Sequence, residues 1–204
     1  MNQLRCRDLR PGDLFLKVSG GSFTNRMIQF GQNVVGQKNP EVVHAGVMFD
    51  STYCVEASGG GLHASDMRVQ NLPYGYYVYR CTNPNIAAGA GTCAKMMFDI
   101  HSQHGSVKYS MAGAVGSLFG SGGKPVEPSA MDALLDRILE GKNNPFFCSQ
   151  FVVYVYQFVA EQCGVPAATV FNLLDAKVSP SRLASYLQGH PMFKEAGYML
   201  PKER

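Results

Sequence analysis

The chain has 204 residues, of which 46% are hydrophobic and 16% charged, with a net charge of +3. That length and apolar content suit a single domain, 1–204, with a substantial core. The basic residues are scattered, with no Lys/Arg cluster and no basic stripe interleaved with aromatics, which argues against a nucleic-acid partner.

No uninterrupted apolar run reaches the ~18–20 residues of a membrane-spanning helix. The first residues, MNQLRCRDLRPGD, lack the apolar stretch of a secretory signal. The expectation is cytoplasmic synthesis, with any export by a non-classical or contact-dependent route. The cysteines are Cys6, Cys54, Cys81, Cys93, Cys148 and Cys163. None form a CxxC pair, so their spacing indicates neither a zinc site nor a small disulfide scaffold.

In chain order, Pro11-Gly12-Asp13 predicts a turn into a strand carrying Leu14, Phe15, Leu16 and Val18. Ser22 caps a short helix through Phe23, Met27, Ile28 and Phe30, and 36–40 is a loop. EVVHAGVMFD, 41–50, predicts a strand with Val43, Ala45, Val47 and Phe49 on one face and His44, Gly46 and Met48 on the other. After a turn at 50–52, YCVEA predicts the next strand. Folding the two as a hairpin sets Glu56 opposite His44 or within one pair of it, with both side chains on one face.

SGGG, 58–61, predicts a loop, and GYYVYRC, 75–81, another strand. Residues 83–91 read as a small-residue linker and 92–103 as a helix through Ala94, Met97, Phe98 and His101. The glycine-rich stretch 111–125 reads as a mobile loop or insertion near the site, and 129–140 as an amphipathic helix. NNPFFCSQFVVYVYQFVAEQCG, 143–164, predicts a helix from about Cys148 to a cap at Gly164, apolar almost all round and hence buried. Its β-branched and aromatic content leaves a buried strand over 151–158 as the alternative. Ser179 or Ser181 caps a short last helix, 182–187.

A cysteine in the first helical turn meets unpaired N–H groups and the positive end of the helix dipole, which favour a thiolate. A cysteine nucleophile also needs a base within reach and an acceptor that orients the base. Cys148, His44 and Glu56 supply those three roles. The competing reading is an inert buried thiol, a satisfied core histidine and a solvated strand carboxylate. His63, Asp50 and Asp66 are alternative third residues. His101 and His104 have a spacing that can bind metal, but no carboxylate motif accompanies them, so neither a metal nor a cofactor is expected. The Tyr74–Tyr79 cluster reads as core.

The ordered set GDLFL (12–16), VVHAGVMF (42–49), VEA (55–57), Tyr109, FCSQFV (147–152) and VSPSRLA (178–184) resembles the circularly permuted papain-like enzymes of the NlpC type, the YiiX/YaeF-like branch. The resemblance covers roughly Asp8 to Leu187. It implies an α+β fold in which a small antiparallel sheet or half-barrel packs on the nucleophile helix. It also implies Cys148 as nucleophile, His44 as base and Glu56 as third polar residue, with Tyr109 near the site. Ser149 and Gly46 join Tyr109 as assigned substrate-binding residues. Val43 departs from the small polar residue the family often has before its histidine.

The implied activity is cleavage of an amide bond by a cysteine amidase or peptidase. Peptide cross-links of bacterial cell wall are the implied substrate, and an antibacterial effector paired with an immunity protein is one setting. The alternatives are a lipid thioesterase or acyltransferase of the lecithin:retinol acyltransferase-like type, with residues 111–119 receiving the acyl chain, and a non-catalytic binding module.

Overall fold

A computed structural model describes residues 2–18, 42–58, 61–69, 74–104, 147–173 and 178–200. Among the described residues the fold is α+β, built on a six-stranded, fully antiparallel open sheet. The strands are β1 (Leu14–Val18), β2 (Val42–Met48), β3 (Tyr53–Ser58), β4 (Gly61–Asp66), β5 (Gly75–Cys81) and β6 (Phe193–Met199), in the order β4-β3-β2-β1-β5-β6. Among the described residues the helices are α1 (Pro84–His104), α2 (Phe147–Gln162), α3 (Ala167–Val170) and α4 (Pro180–Leu187). No described helix is long and apolar enough to cross a membrane.

Both faces of the sheet are covered, because alternate residues along its central strands are apolar on both sides. On one face Leu14, Leu16, Val47, Val55 and Tyr79 join the buried faces of α1, α2 and α4 in the main core. On the other, Phe15, Met48, Cys54, Tyr76 and Val78 pack under Cys6, Leu9 and Met67. Tyr76, Tyr77 and Tyr79 are all core residues.

α2 is buried over nearly its whole circumference, from Cys148 through Ala160, as an all-round apolar helix must be. It ends where the sequence places the stop. Gly164 turns the chain at φ 72°, and the Val165 N–H reaches back to the Ala160 carbonyl at 2.8 Å. α4 begins on Ser179, whose side chain accepts from the Arg182 N–H at 3.2 Å, with Pro180 in the first turn.

Three expectations need correction. The segment 83–91 is no linker but the first half of α1: the Asn83 side-chain oxygen accepts from the N–H groups of Asn85 and Ile86 at 3.0 and 3.2 Å, and Pro84 opens the helix. Its small residues serve close packing, since a Cβ on Gly91 would lie 2.9 Å from the Gly12 nitrogen and 3.0 Å from the Met48 carbonyl oxygen. The expected loop at 58–61 ends in β4, because Gly61 already pairs with Ser58. Val43 does not share a face with Ala45 and Val47. The register shifts between Lys17 and Val18, from Lys17↔His44 to Val18↔Val42, so Val43 has no counterpart and is 46% exposed. β4, β6 and α3 were not anticipated. The expected features at 22–31, 36–40, 111–125 and 129–140 lie outside the described residues.

Candidate functional site

β2 and β3 pair with Gly46 opposite Glu56, so Glu56 stands one same-face pair along from His44. Gly46 stands between them without a side chain, and the Phe15 ring packs against its backbone. A Cβ there would strike the Phe15 ring at 2.4 Å and the Val55 carbonyl oxygen at 2.7 Å. Gly46 is thus required by the packing of Phe15, whatever else it does. Across the gap, His44 Nε2 lies 2.8 Å from Glu56 Oε2, with 19% and 9% of the side chains exposed.

With Nε2 engaged by Glu56, the imidazole offers Nδ1 to its other neighbour. That neighbour is Cys148, at the second position of α2, which hydrogen-bonds His44 and feels its charge. Burial alone would lower His44. The Cys148 and Glu56 hydrogen bonds outweigh it and push the imidazole up to about 9. Burial would raise Glu56, yet its bonds to His44 and to the Ser65 side chain, with the charge of Lys17, bring it down to about 2. Burial would also raise Cys148, but the His44 imidazolium and the Ala45 backbone N–H hold it below the ordinary thiol value. In Cys54, Cys81 and Cys93 burial prevails, joined at Cys54 by the Glu56 charge, and all three are pushed up.

Cys148, His44 and Glu56 are therefore brought together as a thiol, an imidazole and a carboxylate in a row. Ser149 is fully buried, with its hydroxyl 3.9 Å from Cys148 Sγ. Tyr109 lies outside the described residues. Asp50 accepts from the N–H groups of Thr52 and Tyr53, both at 2.6 Å, and so closes a turn. Asp66 pairs with Arg68 at 2.8 Å. His63 stands opposite Glu56 on β4, and burial, with His63 nearby, lowers His101. Among the described residues, no group of three or more His, Cys, Asp or Glu side chains is placed to hold a metal.

Sequence reasoning missed three contributors. Lys17 lies directly across from His44, its ammonium 3.9 Å above the Tyr74 ring. It is the only charged residue in an otherwise apolar strand, and that is the signal that could have found it. Ser65 needed β4 to be recognised. The Ala45 N–H is a backbone group and leaves no trace in residue type. Comparison with protein-family models, with curated proteins and with solved structures gives no match.

Proposed function

We propose that this protein is a cysteine hydrolase that cleaves an amide bond through a thioester acyl-enzyme. The carrying observation is the position of Cys148 beside an imidazole whose far nitrogen is 2.8 Å from a buried carboxylate, with a thiol held below its ordinary pKa. Two of the three groups are buried against the cost of charge, and an ion row of this kind is the usual mark of a reactive thiol.

In this reading the Cys148 thiolate attacks the carbonyl carbon. The Cys148 N–H, in the first turn of α2, donates to the oxyanion. The His44 imidazolium then protonates the leaving amine as the C–N bond breaks, which leaves a thioester and a neutral imidazole. That imidazole takes a proton from water as the water attacks the thioester. The acid departs, and thiolate and imidazolium are restored. Glu56 holds the ring orientation and its charge throughout.

The chain order of Gly-Asp strand, His strand, Glu strand, Cys helix and Pro-initiated helix supports a circularly permuted papain-like arrangement of the NlpC type. On that basis, peptides of bacterial cell wall are the first substrates to try, and a contact-delivered antibacterial effector is the setting we favour. Incubation with a peptidoglycan digest and mass spectrometry of the products tests the activity. Cleavage by the wild type, none by Cys148→Ala and a ~10²–10⁴-fold lower kcat/KM in His44→Ala are expected. Release of fatty acid from lipid extracts, with no peptide cleaved, would move the assignment to lipid acyl chemistry. Turnover of neither would leave a binding module.

A further inference from the structure

A cleft of about 680 Å³ lies between the first turns of α1 and the β5–β6 edge of the sheet. None of Cys148, His44 and Glu56 lines it. Its size falls within the range of small-molecule sites, and it has their composition, an apolar wall with a few polar groups. Pro11, Pro84 and Ala88 form part of the wall. The prolines have no N–H to offer, and the Ala87 N–H is already bonded to the Asn83 carbonyl at 3.0 Å. An apolar body fits that surface better than a polyhydroxylated one.

The charged lining is Arg10, Arg80, Lys194 and Glu195. Arg80 is committed: its Nε and Nη2 reach the fully buried Asp13 carboxylate at 2.7 and 2.6 Å. Neither the Arg10 guanidinium nor the Lys194 ammonium has an ion-pair partner among the described residues. Asp13 offsets Arg80, which leaves Glu195 as the one carboxylate among the lining residues against the two cations Arg10 and Lys194. One positive charge is left over beside an apolar wall.

We propose that this cleft binds a monoanionic small molecule, a carboxylate on a short apolar chain, with Arg10 and Lys194 holding the carboxylate by charge-assisted hydrogen bonds. The site is separate from the chemistry at Cys148 and stands or falls independently of it.

Isothermal titration of the full chain with octanoate, 1-octanol and octylammonium tests the proposal. Octanoate is expected to bind at one saturable site, more weakly as ionic strength rises. Octanol and octylammonium are expected to bind at least about tenfold more weakly, since losing one charge-assisted contact is worth about a factor of ten. Lys194→Glu should weaken octanoate by about tenfold or more. Ala88→Tyr, on the exposed side of α1, should abolish binding by filling the cleft while leaving the helical circular dichroism unchanged. Octanoate that fails to saturate, that binds no better than octanol, or that binds equally well to Lys194→Glu and Ala88→Tyr would overturn the proposal.

Discussion

Glu56 has only 9% of its side chain exposed and still ionises at about 2, because His44, Ser65 and Lys17 stabilise its charge against burial. An unfolded glutamate ionises near 4.5. Its folded pKa is the lower of the two, so its contribution to stability is complete above pH 4.5 and is lost as pH falls toward 2. Glu56→Gln removes that contribution. Urea denaturation at a series of pH values should show wild type more stable than Glu56→Gln by on the order of 3 kcal/mol above pH 4.5, with the gap closing toward pH 2. A gap that stays constant from pH 5 to pH 2 would mean that Glu56 is not held as an ion. At this scale the sequence was informative where side-chain type and position coincide: Cys148 at a helix start, His44 and Glu56 on one strand face. It was uninformative for Ser65 and Ala45, whose roles depend on which strand lies alongside.

Two glycines with nearly the same backbone angle separate two reasons for being glycine. Gly12, at φ 78°, lies under α1, where a Cβ would meet the Ala87 carbonyl oxygen at 1.9 Å. Gly164, at φ 72°, has nothing within 4 Å of that position. Gly164→Ala should therefore cost only the left-handed conformation, ~1–2 kcal/mol. Gly12→Ala adds a clash with the helix backbone and should cost about 3 kcal/mol or more. Chemical denaturation of the two variants checks the difference, and equal costs would contradict the close seating of α1 on the Gly12 turn. That seating also explains why the start of α1 was misread. Gly and Ala at 87–91 have the composition of a linker, but here they let a helix approach a turn and a strand. β4 and β6 were missed for another reason. Both are edge strands, and His63, Lys194, Glu195 and Gly197 interrupt the apolar alternation by which strands are recognised.

Across the whole sheet, the strand order places β1 and β2 at the centre and leaves the edges to β4 and β6. Gly12 and Asp13 tie this centre together. The Gly12 N–H donates to the Met48 carbonyl at 2.7 Å, the Met48 N–H donates to the Asp13 carbonyl at 2.8 Å, and the Tyr156 hydroxyl of α2 donates to the Gly12 carbonyl. Arg80 of β5 closes on the buried Asp13 carboxylate. The strand that carries His44 and the helix that carries Cys148 are thereby anchored to one turn, which keeps two distant parts of the chain in register. The pairing of the His and Glu strands was legible from periodicity and the α+β class was implied by the family resemblance, whereas this cross-bracing was not legible, because it joins residues with no local pattern in common. The proposed chemistry requires that the assembled fold turn Cys148 into a thiolate beside an imidazolium. The most direct test is the rate of Cys148 alkylation by iodoacetamide against pH, in wild type and in His44→Ala. Wild-type Cys148 is expected to react at least about tenfold faster than the other cysteines near pH 6, and His44→Ala to remove the advantage. A Cys148 that reacts only as pH approaches ~8.5, in both proteins alike, would contradict it.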